Sequence, residues 1–368
     1  ANLTYNYLIY RNKNLWMILK KDSVKKLADP LEEKILPGIF KNLNYNHHSP
    51  TSLDMLDGPF VYQKVILTQE QRRMLEGNAN MAAGVAVNDA LQWHYSNTIW
   101  KMNPLTKKLQ PQENEKLSQE AAIQKALEKF KEYNPVNEKD REKFYHYQET
   151  IPQTIRQGFL ACEKIGIATA KNITAEASVN HTDNRLHLPI VGRTDLHFED
   201  FNSLEQSNEA SAPDAAPFLS VLEFKTVWQK PLKIRKDGSR GFSHAKLPST
   251  PLVNHLRQLS FYMTSFFSHV SPCKPYLIYL SADGFEIYSQ YNCADLEPAN
   301  IKNYYNQLVT KGIRRERLLT RYAHLNDKDT IIENLIADTD PQFDHPFYWS
   351  IGYDFVKEAK ELWSNIKR

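Results

Sequence analysis

The sequence predicts an α/β fold, a mixed β-sheet flanked by helices, with a helical N-terminal part and further helices at the C-terminus. Three observations carry this expectation. Residues 218–228 read as a strand that is apolar on both faces, the pattern of a central strand packed on each side. Strand-like runs at 172–180 and 186–198 precede it, and 275–280 with 284–291 follow it as a strand and its hairpin partner. Apolar residues recur at helical spacing in 137–166, 252–267, 298–321 and 353–367. The 368 residues suffice for one large domain or two ordinary ones, and the 41% apolar content can fill a core. The chain is expected to divide into a mostly helical region 1–135, a core 136–295 and a helical region 296–368 packed on that core.

Taken in order, residues 5–19 are aromatic and apolar and suit a strand pair or a helix, with four lysines following. Pro30, Pro37, Pro50 and Pro59 then interrupt the chain. A helix is expected from Thr68 to about Tyr95, weakened by Gly77 and Gly84. Residues 103–116 are polar and read as a loop, and 118–133 as a charged helix. Asn137 can cap a longer helix with Phe144, Tyr147, Ile151, Ile155, Phe159 and Cys162 along one side; Pro152 predicts a kink or two pieces. Residues 199–217, rich in Ser, Asn, Ala and acids, suit a flexible surface insertion. The helix 298–321 ends in Lys311, Arg314, Arg315, Arg317 and Arg321, which suit either the helix macrodipole or contact with DNA.

Chemistry concentrates in 191–262. Alternation along a strand sends Glu223 and Lys225 to the face of Val221, and Leu222 and Phe224 to the other. A carboxylate in such a strand is costly unless it is paired or holds a metal. Asp195 closes the preceding strand-like run, so neighbouring strands would let Asp195 and Glu223 converge on one divalent cation, with Lys225 beside the attacking water. That combination hydrolyses phosphodiesters. The competing reading is a Glu223–Lys225 surface pair on an edge strand, and the apolar flanks argue against it. Gln258 and Tyr262, four apart in a helical segment, share a face. Glu176 is either a further acid near the metal or part of a solvated strand face.

Three signals in order, Gly192–Asp195, Glu223–Lys225 followed by Thr226, and Gln258–Tyr262, resemble the PD-(D/E)XK nuclease superfamily in its RecB-like exonuclease branch. Two upstream stretches extend the resemblance: Ser49-Pro50-Thr51-Ser52-Leu53, similar to the branch's Ser/Thr-rich opening, and Gly84-x-x-x-Asn88, similar to its Gly-x-x-x-His helix, with a small-residue packing face over Gly84–Leu91 as the competing reading. The chain departs from the pattern twice, with Gly58-Pro59-Phe60 where a Cys-Pro pair is frequent and Asn88 where the family has a metal-ligating His. An Asn oxygen can still coordinate Mg2+ or Mn2+, more weakly than imidazole binds a transition metal. The resemblance implies a restriction-endonuclease-like core and a Mg2+- or Mn2+-dependent DNA nuclease, most often exonucleolytic, serving recombination, repair or phage replication. It implies Asp195, Glu223, the Phe224 carbonyl and Asn88 as metal ligands, Lys225 as the residue acting on water, and Gln258 and Tyr262 as support. DNA ends, and a recombination or replication protein, are the implied partners. The alternatives left open are a catalytically silent DNA-binding protein with this fold and a structure-specific endonuclease.

Cys162, Cys273 and Cys293 are widely spaced, which excludes a disulfide framework, a zinc site and the four-cysteine iron–sulfur cluster of some RecB-like relatives. The net charge of +3 excludes a highly basic coating protein, while a nuclease needs only local positive charge. Lys230, Lys233, Arg235, Lys236 and Arg240, interleaved with Trp228 and Phe242, suit either such a patch or a solvated loop, and Arg193 and Ser52 are added to the candidate nucleic-acid contacts. No run approaches a membrane span and no signal peptide opens the sequence, so the expected location is cytoplasmic, in a bacterium or a phage-infected cell, with no membrane partner.

Overall fold

The computed structural model describes residues 38–75, 77–103, 106, 108–200, 218–234, 241–267, 273–325, 327–345, 347–349 and 351–366. The chain forms two compact units, Ala1–Ile35 and Leu36–Arg368; the described residues belong to the second. The expectation for 5–19 and most of the expected insertion lie outside the described residues.

Side-chain caps set where the first helices begin. Helix α1 is Gly38–Asn42. Helix α2, Pro50–Asp54, starts with Ser49 and Ser52 in a reciprocal capping box and Pro50 at the first position, where its missing N–H costs nothing. Helix α3, Asp57–Phe60, runs directly into a π-helical segment, Val61–Ile66. The expected single helix from Thr68 is instead two, α4 Gln69–Met74 and α5 Ala79–Tyr95. The break has a local cause: the Asn78 side chain accepts the Met81 N–H and starts a new helix.

Strands β1, Thr98–Met102, and β2, Leu109–Glu113, form an antiparallel hairpin where a loop was expected after Asn103. The short strand β2 stands at one end of the sheet, largely exposed, so it carries no apolar alternation and tolerates Pro111. Helices α6, Gln119–Lys131, and α7, Glu138–Lys164, follow; Asn137 caps α7 as expected, and α7 is continuous through Pro152. The strand expected at 172–180 is broken into β3, Lys171–Ala175, and β4, Ser178–His181, because Glu176 adopts a left-handed φ of 54°. The next expected strand is likewise two, β5 Ile190–Arg193 and β6 Leu196–Asp200, with Asp195 in the step between them.

Strand β7, Phe218–Thr226, is followed by α8, Val253–Phe267, then β8, Cys273–Ser281, and β9, Gly284–Ser289. The C-terminal part holds α9, Pro298–Thr320, α10, Lys328–Asp338, which lies where no element was expected, and α11, Tyr353–Ile366. The sheet order is β2-β1-β3-β6-β7-β8-β9, with β1–β3 and β7–β8 parallel and the other pairs antiparallel; β4 and β5 form a separate two-stranded sheet. This is the mixed α/β architecture predicted. No helix among the described residues is long and apolar enough to cross a membrane.

The faces of β7 sort as its sequence alternates. Leu222 and Phe224 pack with α5, α6 and α7, while Val221 packs with α8 and α9. A third cluster joins α1, the π-helical segment, the end of α9, α10 and α11. The segment before α2 is clipped to β5 by His48 N–H to Pro189 O and Val191 N–H to His48 O, both 2.8 Å. Buried Glu316 of α9 secures the same junction, accepting from the backbone N–H groups of His187 and Leu188 and from His48 Nε2 at 3.2 Å. Burial alone would raise its carboxyl, but these donors outweigh it and lower its pKa to about 2. Arg315, offered by the sequence as a possible DNA contact, is buried too: it donates to Met55 O at 2.8 Å and lies 3.6 Å over the Phe60 ring.

Candidate active site

Strand β7 presents Glu223 and Lys225 toward α8, on the side of Val221. Lys225 Nζ donates to Glu223 Oε1 at 2.7 Å and to Gln258 Oε1 at 2.9 Å. Gln258 Nε2 donates to the same Glu223 oxygen at 2.7 Å and to the Tyr262 hydroxyl at 3.1 Å. The helical spacing of Gln258 and Tyr262 thus becomes one face of α8 laid along the polar positions of β7. The other carboxylate oxygen, Glu223 Oε2, is buried with no hydrogen-bond partner among the described residues.

Asp195 reaches this cluster from the step between β5 and β6. The step is pinned by Thr194 N–H to Ala177 O at 3.2 Å. Strand β6 then pairs with β7 through Leu196 opposite Leu222, which puts Asp195 beside the end of that ladder. Its Oδ2 accepts the Phe224 N–H at 2.7 Å, and its Oδ1 accepts from Asn88 Nδ2 at 3.2 Å. Gly192 makes room here: a Cβ in its place would stand 2.9 Å from both Phe261 Cε1 and Tyr262 Cε1. Gly84 has a similar role on α5, where a Cβ would meet Thr226 Oγ1 at 3.0 Å. The small residue lets α5 approach β7, so Asn88 one turn later comes into range of Asp195.

Two further side chains join the site. Gln92, one turn beyond Asn88 and buried, donates to Glu176 Oε1 at 2.9 Å and to the Asp195 carbonyl at 3.4 Å. The sequence offered no sign of Gln92 beyond the i, i+4 spacing from Asn88. Glu176 belongs to the site's rim, held by its left-handed backbone, and Arg193 lies 3.8 Å from its Oε2. His255, one turn before Gln258, also escaped the sequence reading. Its Nδ1 is 2.8 Å from the Tyr279 hydroxyl, which also accepts the Leu252 N–H at 2.9 Å. Burial, then the Lys225 charge, lowers the His255 pKa to about 3, so the ring is neutral.

The carboxylates are under electrostatic stress. Burial, then the charge of Glu223, raises the Asp195 pKa well above the ordinary range. Burial also raises Glu223, with Lys225 pulling the other way. For Lys225, burial disfavours the ammonium, but Glu223 and Asp195 outweigh it and the pKa is raised. The lysine is therefore a cation, short of neutralising two carboxylates. Among the described residues no group of three or more His, Cys, Asp or Glu side chains is gathered as a metal cage. What the site offers is two hard carboxylates and an unpartnered buried Oε2 on one of them. That donor set fits a hard cation that keeps several waters, and does not fit a closed transition-metal site.

The other expected contacts divide. Asp195, Glu223, Lys225, Gln258, Tyr262, Phe224 and Asn88 come together, with Asn88 turning its amide nitrogen toward Asp195 and Phe224 contributing its N–H. Ser52 is not presented to a ligand: it is 4% exposed, and its hydroxyl is engaged with Ser49 in the cap of α2. Lys230 and Lys233 are exposed beside the end of β7, whereas Arg235, Lys236 and Arg240 lie outside the described residues. Trp228 is buried against Tyr147, and Phe242 stacks on His146 at 3.6 Å, so these rings serve packing rather than an open stacking platform.

No family model matches the chain, and no curated protein matches it. A solved structure described as the crystal structure of SSO0001 is similar at 17% identity, covering 52% of this chain and 85% of that one, with a TM-score of 0.21. A likeness this slight carries no argument about fold or activity.

Proposed function

We propose that this protein is a divalent-metal-dependent deoxyribonuclease with a restriction-endonuclease-like core of the PD-(D/E)XK type. The observation that carries the reading is the pairing of two buried, raised-pKa carboxylates from separate elements, Asp195 and Glu223, with Lys225 hydrogen-bonded between Glu223 and Gln258. A buried carboxylate pair of this kind lowers its energy by taking a cation. Asp195 and Glu223 would hold Mg2+ or Mn2+, and the Phe224 carbonyl is the further donor that the resemblance implies. When bound, such a cation supplies Lewis-acid stabilisation of phosphoryl charge and a more acidic water.

The chain's own residues then divide the work. Lys225, held protonated by its neighbours, orients the attacking water and stabilises charge developing on the phosphoryl oxygens. Gln258 fixes both Lys225 and Glu223, and Tyr262 fixes Gln258. Gln92 and Asn88 hold Asp195 in place through its carbonyl and Oδ1. Lys230 and Lys233 offer backbone phosphates a charged approach. DNA as substrate, attack at ends, a role in recombination, repair or phage replication, and a partner protein in those processes all come from the resemblance in the motifs.

The test is incubation of purified protein with end-labelled linear and closed circular DNA in Mg2+, Mn2+ or chelator. Metal-dependent loss of linear DNA with the circle intact is the expected result. No cleavage of any linear DNA, single- or double-stranded, would overturn the enzyme reading. One observation favours a second reading, a catalytically silent DNA-binding protein: Asn88 turns a donor, not a ligand atom, toward Asp195. DNA binding without cleavage in either metal would select it.

A further inference from the structure

A groove of about 470 Å³ lies between α8 and α9. Arg257 of α8 faces a ridge of α9 side chains, Asn306, Gln307, Thr310, Lys311 and Arg314 among them, and no carboxylate among the described residues belongs to the lining. The α9 positions recur at intervals of three and four, so they form one stripe roughly 12 Å long, from the rise per residue of a helix. Asp54 at the end of α2 sets the cations in place, 2.6 Å from Arg257 Nη2 and 3.3 Å from Lys311 Nζ. One carboxylate thus faces two cations, and Arg314 is exposed beside them. Arg185, outside the lining, donates to Asn306 at 2.9 Å while its other nitrogens engage Asp183, which matches its charge. Arg257, Lys311 and Arg314 against the one carboxylate of Asp54 leave the groove positive, and their N–H groups suit anionic oxygens in a row.

We propose that this groove binds the phosphodiester backbone of a nucleic-acid strand, as a second contact outside the carboxylate centre. It rests on the nuclease reading for its substrate class. Arg257 and Gln258 are adjacent on α8, one turned to the groove and the other to Glu223, so a single rigid helix carries both contacts. A strand seated in the groove would be held in register while its scissile bond lies at the carboxylates.

The experiment measures binding of labelled single-stranded and duplex DNA by fluorescence anisotropy in chelator, across a salt series. It compares wild type with Lys311→Gln/Arg314→Gln and with Arg314→Glu; thermal melts close to wild type establish folding. Each phosphate contact contributes about 0.7 to the log–log salt slope for single strands and about 0.9 for duplex. The double variant is expected to flatten the slope by roughly 1.4 or 1.8 respectively, with affinity down about tenfold at moderate salt, and Arg314→Glu to weaken binding as well. Wild-type binding with an unchanged slope and affinity in both folded variants would overturn the groove and leave the nuclease reading standing. Groove-dependent binding with no cleavage in Mg2+ or Mn2+ would keep the groove and remove the nuclease. Displacement of DNA by millimolar inorganic phosphate would show a site for a single anion and overturn the backbone assignment.

Discussion

Replacing Glu223 by Gln separates a metal-holding carboxylate from a structural salt pair. The amide keeps the shape of the side chain and an oxygen for Lys225 and Gln258, both now within 2.7 Å of Glu223 Oε1. It removes one of two buried, mutually repelling negative charges, and Lys225 keeps Gln258 at 2.9 Å and the nearby charge of Asp195. Relief of repulsion and loss of the ion pair oppose each other, so metal-free stability should change by no more than about 1 kcal/mol. If the pair were structural, breaking it would cost about 3–5 kcal/mol. The unit Leu36–Arg368 is long enough that 1 kcal/mol moves Tm by only about 1.5 °C, so the two readings differ by several degrees.

The metal arm is larger and independent. A cation at a hundred times its Kd should stabilise wild type by about 2.7 kcal/mol, near 4 °C in Tm. Glu223→Gln should abolish that shift and lower cleavage by about 10³-fold or more. Calorimetric scans with Mg2+ or chelator, beside a cleavage assay, read both. The pH dependence has a defined sign. Asp195 and Glu223 are raised in the folded state, so the stability they contribute is fully present below their unfolded pKa, near 4, and is lost as pH rises through their folded values. In chelator, wild type should therefore lose more stability than Glu223→Gln over that rise. A variant that melts several degrees lower in chelator yet keeps the full metal-induced shift would refute the assignment.

Lys225→Ala should lose cleavage by two orders of magnitude or more, about the scale of a lost transition-state donor, while the metal-induced Tm shift and DNA binding survive; loss of the shift would move Lys225 into the metal site. Asn88→His should raise Mn2+ affinity about tenfold by placing an imidazole beside Asp195, and an unchanged Mn2+ dependence of cleavage would count against Asn88 as the equivalent of the family's His. Gly192→Ala should cost about 1–3 kcal/mol, because the new methyl stands 2.9 Å from Phe261 and Tyr262, and a melt equal to wild type would show that these rings yield freely.

The central strand was legible in the sequence because its two faces are chemically different. Leu222 and Phe224 pack on one helical layer, and Glu223 and Lys225 face α8, as period-two alternation requires. The helix carrying Gln258 and Tyr262 was legible for the same reason, since i and i+4 always share a face. Element boundaries near the site were not. The left-handed backbone at Glu176 and the step at Asp195 break expected strands, and such turns depend on packing that no local pattern records. The exposed edge strand β2 has no buried face and hence no alternation to read.

Local pattern thus determined which residue types occupy which face of an element, because that is set by backbone geometry alone. Tertiary structure decided which faces meet. It brought Gln92 to Glu176 and to the Asp195 carbonyl across 84 and 103 positions of sequence, and joined His255 to Tyr279. It buried Ser52, Arg315 and Trp228, which by type alone could have faced a ligand. It also placed Arg257, Lys311 and Arg314 around one groove. Side-chain spacing along one helix is a property of the chain, but a charge's neighbours across two helices depend on how closely small residues and caps let those elements approach.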